Sequence, residues 1–139
     1  SEDNVLKLMG KPPVKQLLAF KDAFENQCRQ SKKKQFLTYY LIAAHPGCGS
    51  REMKSLKWYC REKLNIRPEQ VQIFTPTPST YSTLMYYTGL DPFSLEPVFV
   101  ERDPRKKEHQ KKVLTTRLPH IGKKRKKTVQ KGRRIKKHR

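Results

Sequence analysis

A strand–helix–strand pattern between Phe36 and Pro78 constrains this chain more than any other feature of its sequence. It begins with an apolar run, Phe36 to Ala44, and a short loop, His45-Pro46-Gly47-Cys48-Gly49. A helical stretch follows, then a second apolar run, Val71-Gln72-Ile73-Phe74, and a second loop, Thr75-Pro76-Thr77-Pro78. That length suits a parallel crossover, in which both strands point the same way and their trailing loops leave at one sheet edge. In α/β proteins this carboxyl edge is where ligands and chemistry gather. His45, Pro46, Gly47 and Cys48 are therefore expected beside Thr75, Pro76 and Thr77, on the functional side. The first run is apolar almost throughout instead of alternating, which predicts a strand covered on both faces. Two strands alone complete neither a barrel nor a doubly wound sheet.

The rest of the chain supplies helices. From Val14, the residues Leu17, Phe20, Phe24 and Cys28 recur at helical spacing, with Leu18 and Ala23 widening the face, and Pro13 suits the first helical position. Between the strands, Met53, Leu56, Cys60 and Leu64 mark a helix from about Arg51 to Leu64. Ser50 is its candidate N-cap and Asn65 suits a left-handed end. Ser79 or Thr80 opens a short helix closed by Gly89, Asp91-Pro92 turns the chain, and Pro97 to Val100 reads as a short edge strand or extended segment. Asp103-Pro104 starts a last helix to about Thr116, whose thin apolar face (Val113, Leu114) predicts a surface position.

Charge divides the chain. Residues 105–139 hold 17 Lys and Arg against one acid, Glu108, while the whole chain carries +20. Nearly all the large apolar residues precede Leu118, so residues 1–118 form the part able to bury a core. Residues 119–139 have the composition of a disordered polycationic tail. Such a tail binds nucleic acid by counterion release, and Lys123, Lys124, Arg125, Lys126, Lys127, Arg133, Arg134, Lys136 and Lys137 are the candidate contacts. It has no aromatic residue for stacking on bases, so weak, sequence-nonspecific RNA contact is the expectation; the plainer reading is a solubilising extension.

Three cysteines without regular spacing argue against a secreted disulfide scaffold. No apolar run approaches the length of a membrane span, so a cytoplasmic protein without membrane contact is expected. His45 and Cys48 with Cys60 offer three ligands where structural zinc wants four, and Cys60 sits on a helical apolar stripe, which speaks against zinc. Cys48 near a helix start is a candidate for a lowered pKa, against the plainer role of a buried spacer. Gly47 and Gly49 are candidates to present amides to an anion, or else simply form a tight turn. His45 is a candidate acid–base or hydrogen-bonding group, or a loop histidine bonded to its own backbone. The Ser1-Glu2-Asp3-Asn4 start, without an initiator Met, suggests a piece of a longer polypeptide.

His45-Pro46-Gly47-Cys48, the stretch from Val71 to Thr80, and Met85-Tyr86-Tyr87-Thr88-Gly89-Leu90-Asp91-Pro92 together resemble the C-terminal region of YgiQ-like radical S-adenosylmethionine (SAM) proteins. Leu8-Met9-Gly10-Lys11-Pro12-Pro13, Lys34-Gln35-Phe36-Leu37 and Pro97-Val98-Phe99-Val100 fall where that family has similar segments, and the likeness runs to about residue 120. The resemblance implies a partial TIM-like barrel segment with an extension. It also implies a parent chain whose Cys-x3-Cys-x2-Cys motif holds a [4Fe–4S] cluster that binds SAM. Here the cysteine intervals are 20 and 12, so that motif is missing and no cofactor or catalytic residue is assigned to this stretch. The implied partner is the cluster-bearing part of the parent, with His45 to Cys48 and Thr75 to Thr77 at the active-site rim. A docking domain that uses the uncovered strand surface is a third reading.

Overall fold

The computed structural model describes residues 2–116; the expected disorder of 119–139 lies outside the described residues. Helices α1 (Asp3–Leu8) and α2 (Val14–Ser31) lead into β1 (Ile42–Ala43), α3 (Ser50–Glu62) and β2 (Gln72–Ile73); α4 (Tyr81–Thr88) and α5 (Pro104–Thr115) follow. About half of the described chain is helical, and the sheet is a two-stranded parallel pair. Ile42 pairs with Gln72 and Ala43 with Ile73. The Gln72 N–H donates to the Leu41 carbonyl at 2.9 Å and the Phe74 N–H to that of Ala43 at 2.8 Å. The predicted parallel crossover is therefore present, with strands far shorter than the apolar runs that announced them.

The first run corrects the expectation of a strand covered on both faces. Only its last residues pair, while Phe36 is 80% and Tyr40 77% exposed. Their neighbours Leu37 and Tyr39 are half-buried, and Tyr39 packs with Leu41 against a cluster of Tyr59, Cys60 and Leu64. α2 lies on that cluster through Val14, Leu17 and Leu18. It buries no residue fully: Cys28 is intermediate and Phe20 is exposed, stacked on Phe24, so the helix is a partly covered flank instead of a core element. Pro13 precedes α2 as its N-cap residue, and because proline has no side-chain acceptor the Asp3 carboxylate reaches across to accept from the Val14 N–H at 2.8 Å.

α3 starts one residue earlier than predicted. Gly49, not Ser50, occupies the N-cap, and the Glu52 carboxylate folds back to accept from the Gly49 N–H at 2.9 Å. Met53 and Cys60 are fully buried along the predicted stripe. Of the flanking aromatics Tyr59 is buried, whereas Trp58 is 56% exposed. Asn65 takes the left-handed conformation foreseen for it, at φ +54°.

α5 departs most from the sequence reading. Asp103 caps it as expected, accepting from the Arg105 N–H at 2.8 Å. The helix is no surface element, however: it packs along α3 and both strands. Leu114 joins Ala43, Cys48, Met53 and Val71 in the main core, with Val113 beside them. Burying such side chains contributes on the order of 1.5–3 kcal/mol each. The stripe looked thin because its third member is polar: Gln110, at 1% exposure, lies on the same face as Val113 and Leu114.

Candidate functional site at the carboxyl edge of the sheet

The two loops after β1 and β2 do leave at one edge. The His45 ring stands edge-on to Phe74 with centroids 5.0 Å apart. His45 Nε2 lies 2.8 Å from the Ser82 Oγ at the start of α4. Its Nδ1 lies 2.8 Å from the Pro46 carbonyl. A carbonyl can only accept, so Nδ1 carries the proton and Nε2 accepts from the Ser82 hydroxyl. Burial holds the imidazole pKa below its ordinary value, against a smaller upward pull from the Pro46 carbonyl. His45 is thus a neutral cross-brace between the first loop and α4, and it bonds its own backbone.

The loop that carries it is bound at four of its amides, those of Ala44, Gly47, Cys48 and Gly49. Ala44 sits at φ +57° and its N–H donates to Gln110 Oε1 at 3.0 Å. Gly47 donates to the Phe99 carbonyl at 2.7 Å and Cys48 to the His45 carbonyl at 2.9 Å. Gln110 Nε2 closes the circuit by donating to the Cys48 carbonyl at 3.3 Å. With the Gly49 amide held by Glu52, the Gly47 and Gly49 amides are committed within the fold and do not form the anion-binding nest considered from the sequence. Gly47 is required where it stands: φ is +82°, and a Cβ there would run into Leu8 Cδ1.

Of the two readings of Cys48, the packing supports the buried spacer and not the lowered pKa. It is buried against Met53, Sγ to Sδ 3.3 Å, and burial together with the Glu52 charge pushes its thiol up to about 11. A helix start does not activate a thiol whose thiolate would lie in an apolar wall. Burial raises the Cys60 thiol likewise. Among the described residues no group of three or more His, Cys, Asp and Glu side chains could hold a metal ion. With Cys48 and Cys60 buried on different core clusters and Cys28 on α2, the thiols of this chain do not fit a [4Fe–4S] cluster.

The second loop is knitted to α4 instead of to the first loop. The Thr77 N–H donates to Thr83 Oγ1 at 2.8 Å, and that hydroxyl donates back to the Thr77 carbonyl at 2.6 Å. Thr80 caps α4 as one of the two residues expected to, and Gly89 closes it at φ +71°. Of the seven edge residues singled out, His45, Pro46 and Cys48 are buried, Gly47 and Pro76 half-buried, and Thr75 and Thr77 exposed. Beside them is a group the sequence reading missed. Tyr86 lies 5.9 Å from the Phe74 ring, with Arg102 5.6 Å and Lys107 4.7 Å from its own centroid. Lys107 Nζ donates to the Tyr86 hydroxyl at 2.9 Å, and Arg102 caps α4 by donating to the Tyr86 and Tyr87 carbonyls. Tyr-Tyr pairs and dispersed cations carry no spacing signal, so only coordinates reveal this cluster; the helical spacing of Gln110 with Val113 and Leu114 was the one legible hint of the brace. The candidate nucleic-acid contacts from Lys123 to Lys137 lie outside the described residues. No helix among the described residues is long and apolar enough to cross a membrane.

Residues 69–134 match a family described as a domain of unknown function, DUF3362. The chain is 56% identical over 115 residues to a UPF0313 protein of Fusobacterium nucleatum, an alignment covering 83% of this chain and 20% of that protein. Against a UPF0313 protein of Thermotoga neapolitana it is 50% identical over 98 residues, 70% of this chain and 17% of the relative. A UPF0313 protein of Clostridium perfringens is 44% identical over 116 residues, 84% and 17% respectively. These are homologues from the YgiQ-like family, and the chain spans about a fifth of their length. No solved structure matches.

Proposed function

We propose that this chain is the C-terminal region of a YgiQ-like radical SAM protein, supplying part of an active-site rim and a cover for its barrel, and not catalytic alone. The observation that carries the reading is the meeting of two parallel-strand loops at one edge, His45 against Phe74 and Ser82, in a chain homologous to much longer UPF0313 proteins. The cluster and SAM belong, on this reading, to the remaining polypeptide, because the thiols here do not fit the cluster. What this chain offers at the edge is surface: the exposed Thr75 and Thr77, and the Tyr86 ring flanked by Arg102 and Lys107. The neutral His45 and the Gln110 brace hold that surface in register. The parent works in the cytoplasm.

The test begins with the full reading frame, which should contain Cys-x3-Cys-x2-Cys. The anaerobically reconstituted full-length protein should show iron–sulfur absorbance and form 5′-deoxyadenosine from SAM under reduction. Thr75→Trp with Thr77→Trp should lower turnover of its substrate while leaving the absorbance intact. A reading frame without the three-cysteine motif would end the proposal. A second reading, nonspecific RNA binding through residues 119–139, is favoured by their charge alone. Salt-dependent RNA binding that survives deletion of those residues would remove it.

A further inference from the structure

Among the described residues, nothing pairs with one edge of the sheet. Exposure alternates residue by residue from Phe36 to Tyr40, the mark of an extended chain with one face packed and one bare. In the plane of the sheet the backbone alternates too. The Leu41 and Ala43 carbonyls face β2 and accept from it, so the N–H and C=O groups of Thr38, Tyr40 and Ile42 face away. None of these six groups makes a hydrogen bond among the described residues. The edge opens on an apolar cleft of about 690 Å³, walled by Leu6, Met9, Leu17, Phe20 and Leu56 and by the Thr38–Ile42 segment itself. Tyr59 lines the same cleft, and its hydroxyl is buried without a hydrogen-bond partner among the described residues.

We propose that the Thr38–Ile42 edge and its cleft receive a β-strand from the part of the polypeptide outside these 139 residues. The occupant is a strand because a helix satisfies its own backbone and would leave the six edge groups unpaired, whereas a strand pairs them at the spacing they already have. It is apolar on the side that meets Leu17 and Phe20, since a polar one would lose its hydration without repayment. It comes from the same protein because homologues of this chain are about four times its length or more, which leaves ample sequence to supply it. The inference rests on the reading above that a longer chain surrounds this stretch, though not on that chain's chemistry. A long, flat apolar edge left open would otherwise be an aggregation template.

Hydrogen exchange decides the matter, comparing the full-length protein with the 139-residue chain. The Thr38, Tyr40 and Ile42 amides should exchange at least ~100-fold more slowly in the full-length protein, as paired core-strand amides do relative to open edges. Tyr40→Pro removes one outward N–H at a residue that pairs with nothing among the described residues, a position where an edge strand tolerates proline. In the full-length protein this variant should abolish the added protection at Thr38 and Ile42 while the Ala43 amide, which faces β2, stays slow. Equal exchange in the two proteins would overturn the proposal. So would protection in the short chain that grows with its concentration, because the edge would then be taken by a second copy. A full-length protein lacking the three-cysteine motif would sink the radical SAM reading and leave the exchange result standing.

Discussion

On one side of Ala43 the backbone is tied through four amides in six residues, and on the other it is tied along one edge only. The loop from Ala44 to Gly49 gives its N–H groups to Gln110, Phe99, His45 and Glu52, and its ring nitrogens and sulfur are equally occupied. The segment from Phe36 to Tyr40, just upstream, presents the exposed rings of Phe36 and Tyr40 and carbonyls unpaired among the described residues. The residue types point the opposite way, with a polar loop expected to reach for ligand and an apolar run expected to be covered. The lesson is that polar side chains at a sheet edge can be spent on holding the edge together, and that an apolar run is a demand for partners which a short chain need not meet.

Removing Gln110 should break this contrast most. Gln110→Ala strands a buried N–H and a buried carbonyl, each costing about 1–3 kcal/mol, so urea unfolding of the chain should lose about 2–6 kcal/mol. A loss under 1 kcal/mol would mean the loop is not held from α5. Gly47→Ala comes next. The left-handed φ alone costs roughly 1–2 kcal/mol for an alanine, and adding Leu8→Ala should recover only the part due to the Cβ contact. Calorimetry of the single and double variants separates the two.

A pH effect follows from His45. Unfolded, its imidazole takes up a proton near pH 6.5; folded, it does so only at lower pH. Below 6.5 the unfolded state binds more protons, so stability should fall as pH drops through that range and level off past the folded pKa. His45→Asn should flatten the difference between pH 7 and pH 5 relative to the parent chain. The smallest effect belongs to the open side. Phe36→Ser or Tyr40→Ser should change the stability of the 139-residue chain by less than ~0.5 kcal/mol, as exposed positions do. A larger loss there would show the rings buried after all.

How much of this was legible depends on how local the cause is. The crossover, the Asp103 cap, the Gly89 stop and the left-handed Asn65 are written in neighbouring residues, and they read correctly. That the two loops leave at one edge followed from strand direction alone; the His45–Phe74 contact and the ties of Thr77 to α4 did not. Strand length did not, because pairing ends where β2 ends, and Val71 to Phe74 offers little to pair with. For Cys48 the sequence offered a lowered pKa or a buried spacer, and the Met53 wall that decides for the spacer is a matter of packing. α5 was misjudged because a face made of Gln110, Val113 and Leu114 scores as polar until its polar member is seen to have two backbone partners.

The Gln110 brace also sets an order of events. It joins Ala44 to a residue 66 positions later, and translation adds roughly 5–20 residues each second. The nascent loop is therefore made some 3 to 13 s before its clasp exists. Throughout that interval the ribosome carries a chain whose carboxyl-edge turn is still loose, and α5 arrives as the latch that shuts it.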